Sequence, residues 1–194
     1  MNPIGGILIP VSLLFTVFII GPMTKTQGMG ARKIARFGMF AAMAIALGIV
    51  ESLLPDFLLP GMKVGFPNLA IVLILYIDGF VPAIIISLVR VLLVTLLRGS
   101  FLSMGGWMSF AGALASILIM ALAKRLFRGA SPIGISLLGS GFHVAAQIGV
   151  ALIYLQTSAI LYYLPFMLLM SIGSGLAIGL LDDRILRIIA RKKP

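Results

Sequence analysis

Arg90 stands in the middle of VPAIIISLVRVLLVTLL, a run otherwise free of charge. A guanidinium in such surroundings is tolerable only when it faces a cavity, a partner or water. Its planar fork of donors suits a carboxylate or a phosphate. Arg98 follows two turns later and roughly 80° around the helix, so the two predict a positive patch for an anionic group. Each also has a plainer reading: Arg90 as the structural partner of an acid such as Glu51 or Asp78, and Arg98 as an interface anchor.

A second set lies between Pro132 and Tyr154. Ser136, Ser140, His143, Gln147 and Tyr154 fall within roughly 60° of one another at about 100° per residue. A polar stripe on an otherwise apolar helix must face protein or a wet cavity. It serves either hydrogen bonding between helices or one wall of a substrate site, with Gln147 and Tyr154 nearest its mouth. His143 alone lacks the companions that a metal centre or proton relay needs. Glu51, Lys63 and Asn68 flank the loop PDFLLPGMKVGFPN and could line the same site, or be solvated loop residues.

Absences narrow the chemistry. There is no G-x-x-x-x-G-K-[ST], so ATP hydrolysis by a P-loop is excluded. Asp182-Asp183 lacks the third aspartate and the second acidic cluster of a magnesium-binding prenyl synthase site. A capping or ion-pair role suits those two better. With no cysteine in the chain, disulfides, thiolate metal sites and thiol nucleophiles are excluded as well. No catalytic residue, metal ligand set or cofactor is expected.

These residues need elements to hold them, and composition says which. With 61% hydrophobic and 10% charged residues and a mean hydropathy of +1.20, the chain reads as an all-α integral membrane protein. The net charge of +10 does not point to nucleic acid, because twelve of the fifteen Lys and Arg residues fall in three clusters beside apolar runs: Lys25 to Arg36, Lys124 to Arg128 and Arg184 to Lys193. Such clusters mark the cytoplasmic side and contact anionic lipid. They predict six spans with a cytoplasmic C-terminus in the cell membrane.

The first span, Arg32 to Pro55, carries Gly38, Ala42 and Ala46 at four-residue spacing. That stripe without bulk lets another helix approach, either within the bundle or from a separate subunit. Residues 67–97 as one helix would reach roughly 46 Å, too long for a bilayer, so a tight turn at Asp78-Gly79 is predicted to split them. The first half could instead be re-entrant. Trp107 to Ala123, Pro132 to Tyr154 and Ala159 to Leu181 follow. On the last, Ser171, Gly175 and Gly179 form another small-residue stripe, and DDRILRIIARKKP reads as a short amphipathic tail. Residues 1–31, an apolar run and a basic linker, stand apart as an optional extra helix. The six-helix domain is set at 32–187 and a basic tail at 188–194.

The order R-K-I-A-R-F-G-M-F-A-A-M-A-I-A-L, E-S-L-L-P, P-G-M-K-V-G-F-P-N-L and D-G-F-V-P-A resembles the Gx transporter family. That family is also catalogued as heptaprenyl diphosphate synthase component I. It is related to the substrate-binding S components of energy-coupling-factor (ECF) uptake transporters. The resemblance spans roughly residues 32–187 and implies an S-component-like six-helix bundle with an outward-facing pocket for a small, anionic, vitamin-like or precursor molecule. It also implies that Gly38, Ala42 and Ala46 dock a transmembrane coupling subunit, with ATP hydrolysis left to cytoplasmic ATPases. The synthase name implies the alternative, a membrane accessory subunit in making the prenyl tail of menaquinone. The sequence supplies no residues for that reaction.

Overall fold

The computed structural model describes residues 30–53, 63, 65–127 and 129–191. The expected extra helix near the N-terminus lies outside them. Residues 36–194 form one compact unit, and residues up to Ala35 fall outside it.

Among the described residues the chain is all helical. Six α-helices follow in order: α1 Ala31–Leu53, α2 Asn68–Ile77, α3 Phe80–Leu97, α4 Met104–Leu126, α5 Pro132–Leu155 and α6 Leu164–Arg191, with a 3-10 turn over Ser158–Tyr163 before the last. Five are long and apolar enough to cross a membrane. The exception is α2, whose ten residues reach about 15 Å, half a hydrocarbon core. It is buried almost throughout, from Ala70 to Leu75. Such a helix needs no polar face, because its neighbours rather than lipid enclose it.

The turn between α2 and α3 is where Asp78-Gly79 predicts it. Gly79 holds φ at +92°, a left-handed conformation that a Cβ would strain. Ser103 and Ser131 cap α4 and α5 by accepting from the N–H groups of Gly106 and Gly134, and Pro132 takes the first turn of α5. The last span differs from expectation. Residues 159–163 belong to the 3-10 turn, and α6 then runs unbroken to Arg191, so the expected tail as far as Arg191 is the end of the same helix. No glycine or proline interrupts the chain between Gly179 and Arg191.

The helices pack most extensively as α4 on α5 and α5 on α6. Missing side chains set the closeness: a Cβ on Gly179 would come within 2.6 Å of the Ile133 backbone, and one on Gly175 would overlap Ser140. Two apolar clusters fill the interior. One surrounds α2 with Phe40, Ala44, Ile117, Met120 and Ile135. The other joins Met108, Val144, Ile148 and Ala151 to Ile160 and Met167. Outward faces carry large apolar side chains such as Leu92, Leu96, Phe142 and Leu169, as lipid contact requires.

Candidate functional site

Buried polar residues interrupt the apolar packing along α4 and α5. On α4 these are Ser109 and Ser116, and on α5 Ser136, Ser140, His143 and Gln147. Arg90 of α3, on the buried face with Ser87, Val91 and Val94, joins His143 and Gln147 in one polar layer, apart from Ser136 and Ser140. It is only 3% exposed. Glu51 and Ser52 enter from the C-terminal end of α1. Lys63 comes from the chain leading into α2 and Asn68 from the first position of α2, and both are buried.

Several contacts hold the layer in place. Glu51 Oε1 accepts hydrogen bonds from the backbone N–H groups of Gly65 and Phe66, so the carboxylate ties the end of α1 to the entrance of α2. Asn68 donates to Ser116 Oγ at 3.4 Å, joining α2 to α4. The Gln147 amide donates to His143 Nε2 at 3.2 Å, one turn apart on α5. The His143 ring lies where a side chain on Gly112 would stand. Gly48 makes the same allowance on α1, with Arg90 Cδ and Val94 against it.

What these contacts leave over matters more. Arg90 Nε and Nη2, Glu51 Oε2 and Gln147 Oε1 are buried with no hydrogen-bond partner among the described residues. Arg90 and Glu51 are close enough to interact electrostatically, and both Arg90 and Lys63 act on His143 in the same way. Leaving one buried polar group unpaired costs about 1–3 kcal/mol, and more when it is charged. Several such atoms in one layer ask for a partner that these side chains do not supply to one another. An acidic group would answer the Arg90 donors, and a hydrogen-bond donor would answer Glu51 Oε2.

The candidates from the sequence separate into two sets. Glu51, Lys63, Asn68, Arg90, His143 and Gln147 are buried. Tyr154 is 58% exposed beyond the packed part of α5, and Arg98 is exposed at the C-terminal cap of α3. The stripe on α5 also divides along its length: Ser136 and Ser140 face the glycines of α6, while His143 and Gln147 meet the polar layer. Asp78 is not the partner of Arg90, because Arg36 holds it through two hydrogen bonds, one of 2.7 Å. Gly38, Ala42 and Ala46 all lie on the exposed face of α1, opposite buried Phe40, Ala44 and Gly48.

Sequence reasoning missed the second polar group, where Tyr76, Lys124 and Asp182 gather at the end that carries the basic clusters. Lys124 Nζ donates to the Leu75 carbonyl at 2.6 Å and stands 4.4 Å above the Tyr76 ring. Tyr76 donates to the Ala130 carbonyl, also at 2.6 Å. Asp182 was legible in one respect: three residues beyond Gly179, it falls within the arc of Ser171, Gly175 and Gly179 and so shares their buried face.

The family model described as heptaprenyl diphosphate synthase component I covers residues 40–185. No curated protein and no solved structure matches the chain.

Proposed function

The chain belongs to the heptaprenyl diphosphate synthase component I family, and on that premise we propose that it is a membrane accessory subunit that binds a small acidic molecule and leaves chemistry to a partner. The observation that carries the reading is the buried guanidinium of Arg90 with two nitrogens unpartnered. A diphosphate head group suits that charge together with Lys63, and an isoprenoid tail suits the apolar helices around it. Prenyl transfer would then belong to a separate catalytic subunit, which this one holds at the membrane.

Two observations favour a second reading, the substrate-binding subunit of an ECF-type uptake transporter with its coupling subunit and ATPases. The polar layer draws on Glu51, Lys63 and Asn68, away from the end where Arg36, Lys124 and Arg187 lie, and basic clusters mark the cytoplasmic side. Glu51 Oε2 also asks for a donor, which a prenyl diphosphate lacks and a vitamin-like solute with an acid and an amide supplies.

The experiment is affinity purification of the tagged full chain from its own membranes in mild detergent, with protein and ligand identified by mass spectrometry. Recovery of a prenyl diphosphate synthase, with loss of long-chain prenyl product when this chain is deleted, supports the first reading. Recovery of a coupling subunit and its ATPases with a bifunctional solute supports the second. A chain that carries no acidic ligand and neither partner removes both.

A further inference from the structure

Asp182 on α6 is fully buried, and neither of its carboxylate oxygens has a hydrogen-bond partner among the described residues. Its neighbour Asp183 behaves differently, accepting from Arg187 Nε at 2.8 Å on the exposed side of the helix. The 100° between adjacent helical residues separates the two. Asp182 falls on the face of Gly175 and Gly179, which packs on α5. There Ser136 lies against Gly179, and its Oγ is likewise buried and unpartnered.

Four charged or titratable groups near this end have other commitments. From α2, Tyr76 acts electrostatically on Asp182 while donating its own proton to the Ala130 carbonyl. From α4, Lys124 is engaged by the Leu75 carbonyl and the Tyr76 ring. Arg36 of α1 is held by Asp78, and Arg187 of α6 by Asp183. Among the described residues no hydrogen bond reaches either Asp182 oxygen, and neither of these two ion pairs involves it.

A bare carboxylate wholly removed from water is untenable, so it must be neutralised by something small enough to enter the seam. We propose that Asp182 is a binding site for a small monovalent cation, a proton or sodium, at the α5–α6 seam, with Ser136 Oγ as a second oxygen. The chemistry common to both is neutralisation of one isolated carboxylate. A divalent ion would ask for more carboxylates than one. This site is separate from the Arg90 layer: Ser136 stands beside it, and His143 and Gln147 lie two and three turns further along α5.

The test uses the detergent-purified full chain and two probes, sodium chloride against choline chloride, each at acid and alkaline pH. The thermal unfolding midpoint is read for the native protein, Asp182→Asn and Asp183→Asn. If the ligand is sodium, the native midpoint at alkaline pH rises by several degrees in sodium over choline. If it is a proton, the midpoint rises by several degrees on acidification and ignores sodium. In either case Asp182→Asn loses the response and Asp183→Asn keeps it.

Should Asp182→Asn fail to fold, infrared spectroscopy of the native protein labelled at aspartate decides, since the chain has only five acidic residues in all. A protonated-carboxyl band lost at alkaline pH identifies the proton, and a carboxylate band shifted by sodium identifies sodium. Bands indifferent to both, or an Asp182→Asn protein that responds like the native one, overturn the assignment.

Discussion

Arg90 and Glu51 approach within electrostatic reach, both buried, and no hydrogen bond joins them. Glu51 spends Oε1 on the backbone of Gly65 and Phe66, while Oε2 and the Arg90 nitrogens Nε and Nη2 stay unmatched. Had these groups served only stability, a direct pair would be the cheaper arrangement. Arg90→Gln should therefore weaken binding of the co-purified acidic ligand by about 2–5 kcal/mol with a smaller loss of thermal stability. Arg90→Lys should recover part of the affinity, because a point charge cannot reproduce a bidentate fork. A structural pair predicts the reverse, unfolding in Arg90→Gln and rescue by Glu51→Gln. Affinity and unfolding midpoint measured on the same variants distinguish them.

The seam between α5 and α6 makes an ordered prediction about glycines. A Cβ on Gly179 meets backbone, the Cα of Ile133 at 2.6 Å, which cannot rotate away. On Gly175 it meets the Ser140 side chain first, and on Gly173 it meets nothing within 4 Å. Gly179→Ala should thus cost the most, about 1–3 kcal/mol, Gly175→Ala less, and Gly173→Ala little or nothing. Ser140→Gly should restore part of the loss in Gly175→Ala. Equal midpoints for the three single variants in detergent would contradict the packing described.

Spacing announced some of this and not the rest. The turn at Asp78-Gly79 was legible because a glycine takes the positive φ there and Pro82 suits the first turn of a new helix. The polar face of α5 was legible too, since Ser136, Ser140, His143 and Gln147 share one side. A helical wheel has no axial coordinate, however. Tyr154 shares that angle but lies roughly 16 Å along the axis from His143, beyond the neighbours that bury the rest. Nor does spacing choose between inside and outside: Gly38, Ala42 and Ala46 resemble Gly175 and Gly179 in pattern, yet one set is exposed and the other packed. The opposite face of α1 decides it, where Phe40 supplies the bulk that the core takes in.

Orientation is tested from the two ends of α4. Leu102, just before the helix, and Phe127, just after it, are both exposed. The basic residues Lys124 and Arg125 stand beside Phe127, so that end is expected in the cytoplasm. The chain has no cysteine of its own, so single cysteines at the two positions give clean signals. In intact cells a membrane-impermeant maleimide should label Leu102→Cys and spare Phe127→Cys until the membrane is broken. Labelling of Phe127→Cys alone would invert the bundle and place the polar layer toward the cytoplasm, which favours the synthase reading over uptake.

The outward stripe on α1 carries the last prediction. Gly38, Ala42 and Ala46 are exposed on a helix whose other face holds Phe40, Ala44, Gly48 and Glu51 in the bundle. Lipid contact gives no reason for small residues at four-residue spacing, whereas a second helix approaching within van der Waals distance does. The proposed occupant is a membrane-embedded helix of the partner subunit. Ala42→Leu would hold that backbone away while leaving the apolar character of α1, and hence insertion, intact. Recovery of the partner with the tagged chain should fall severalfold, at unchanged expression and unfolding midpoint. Ala44→Leu, pointing into the core, should instead lower the midpoint, because the site has no room for three more carbons. Undiminished partner recovery with Ala42→Leu would mean that the stripe meets lipid alone and that the partner docks elsewhere.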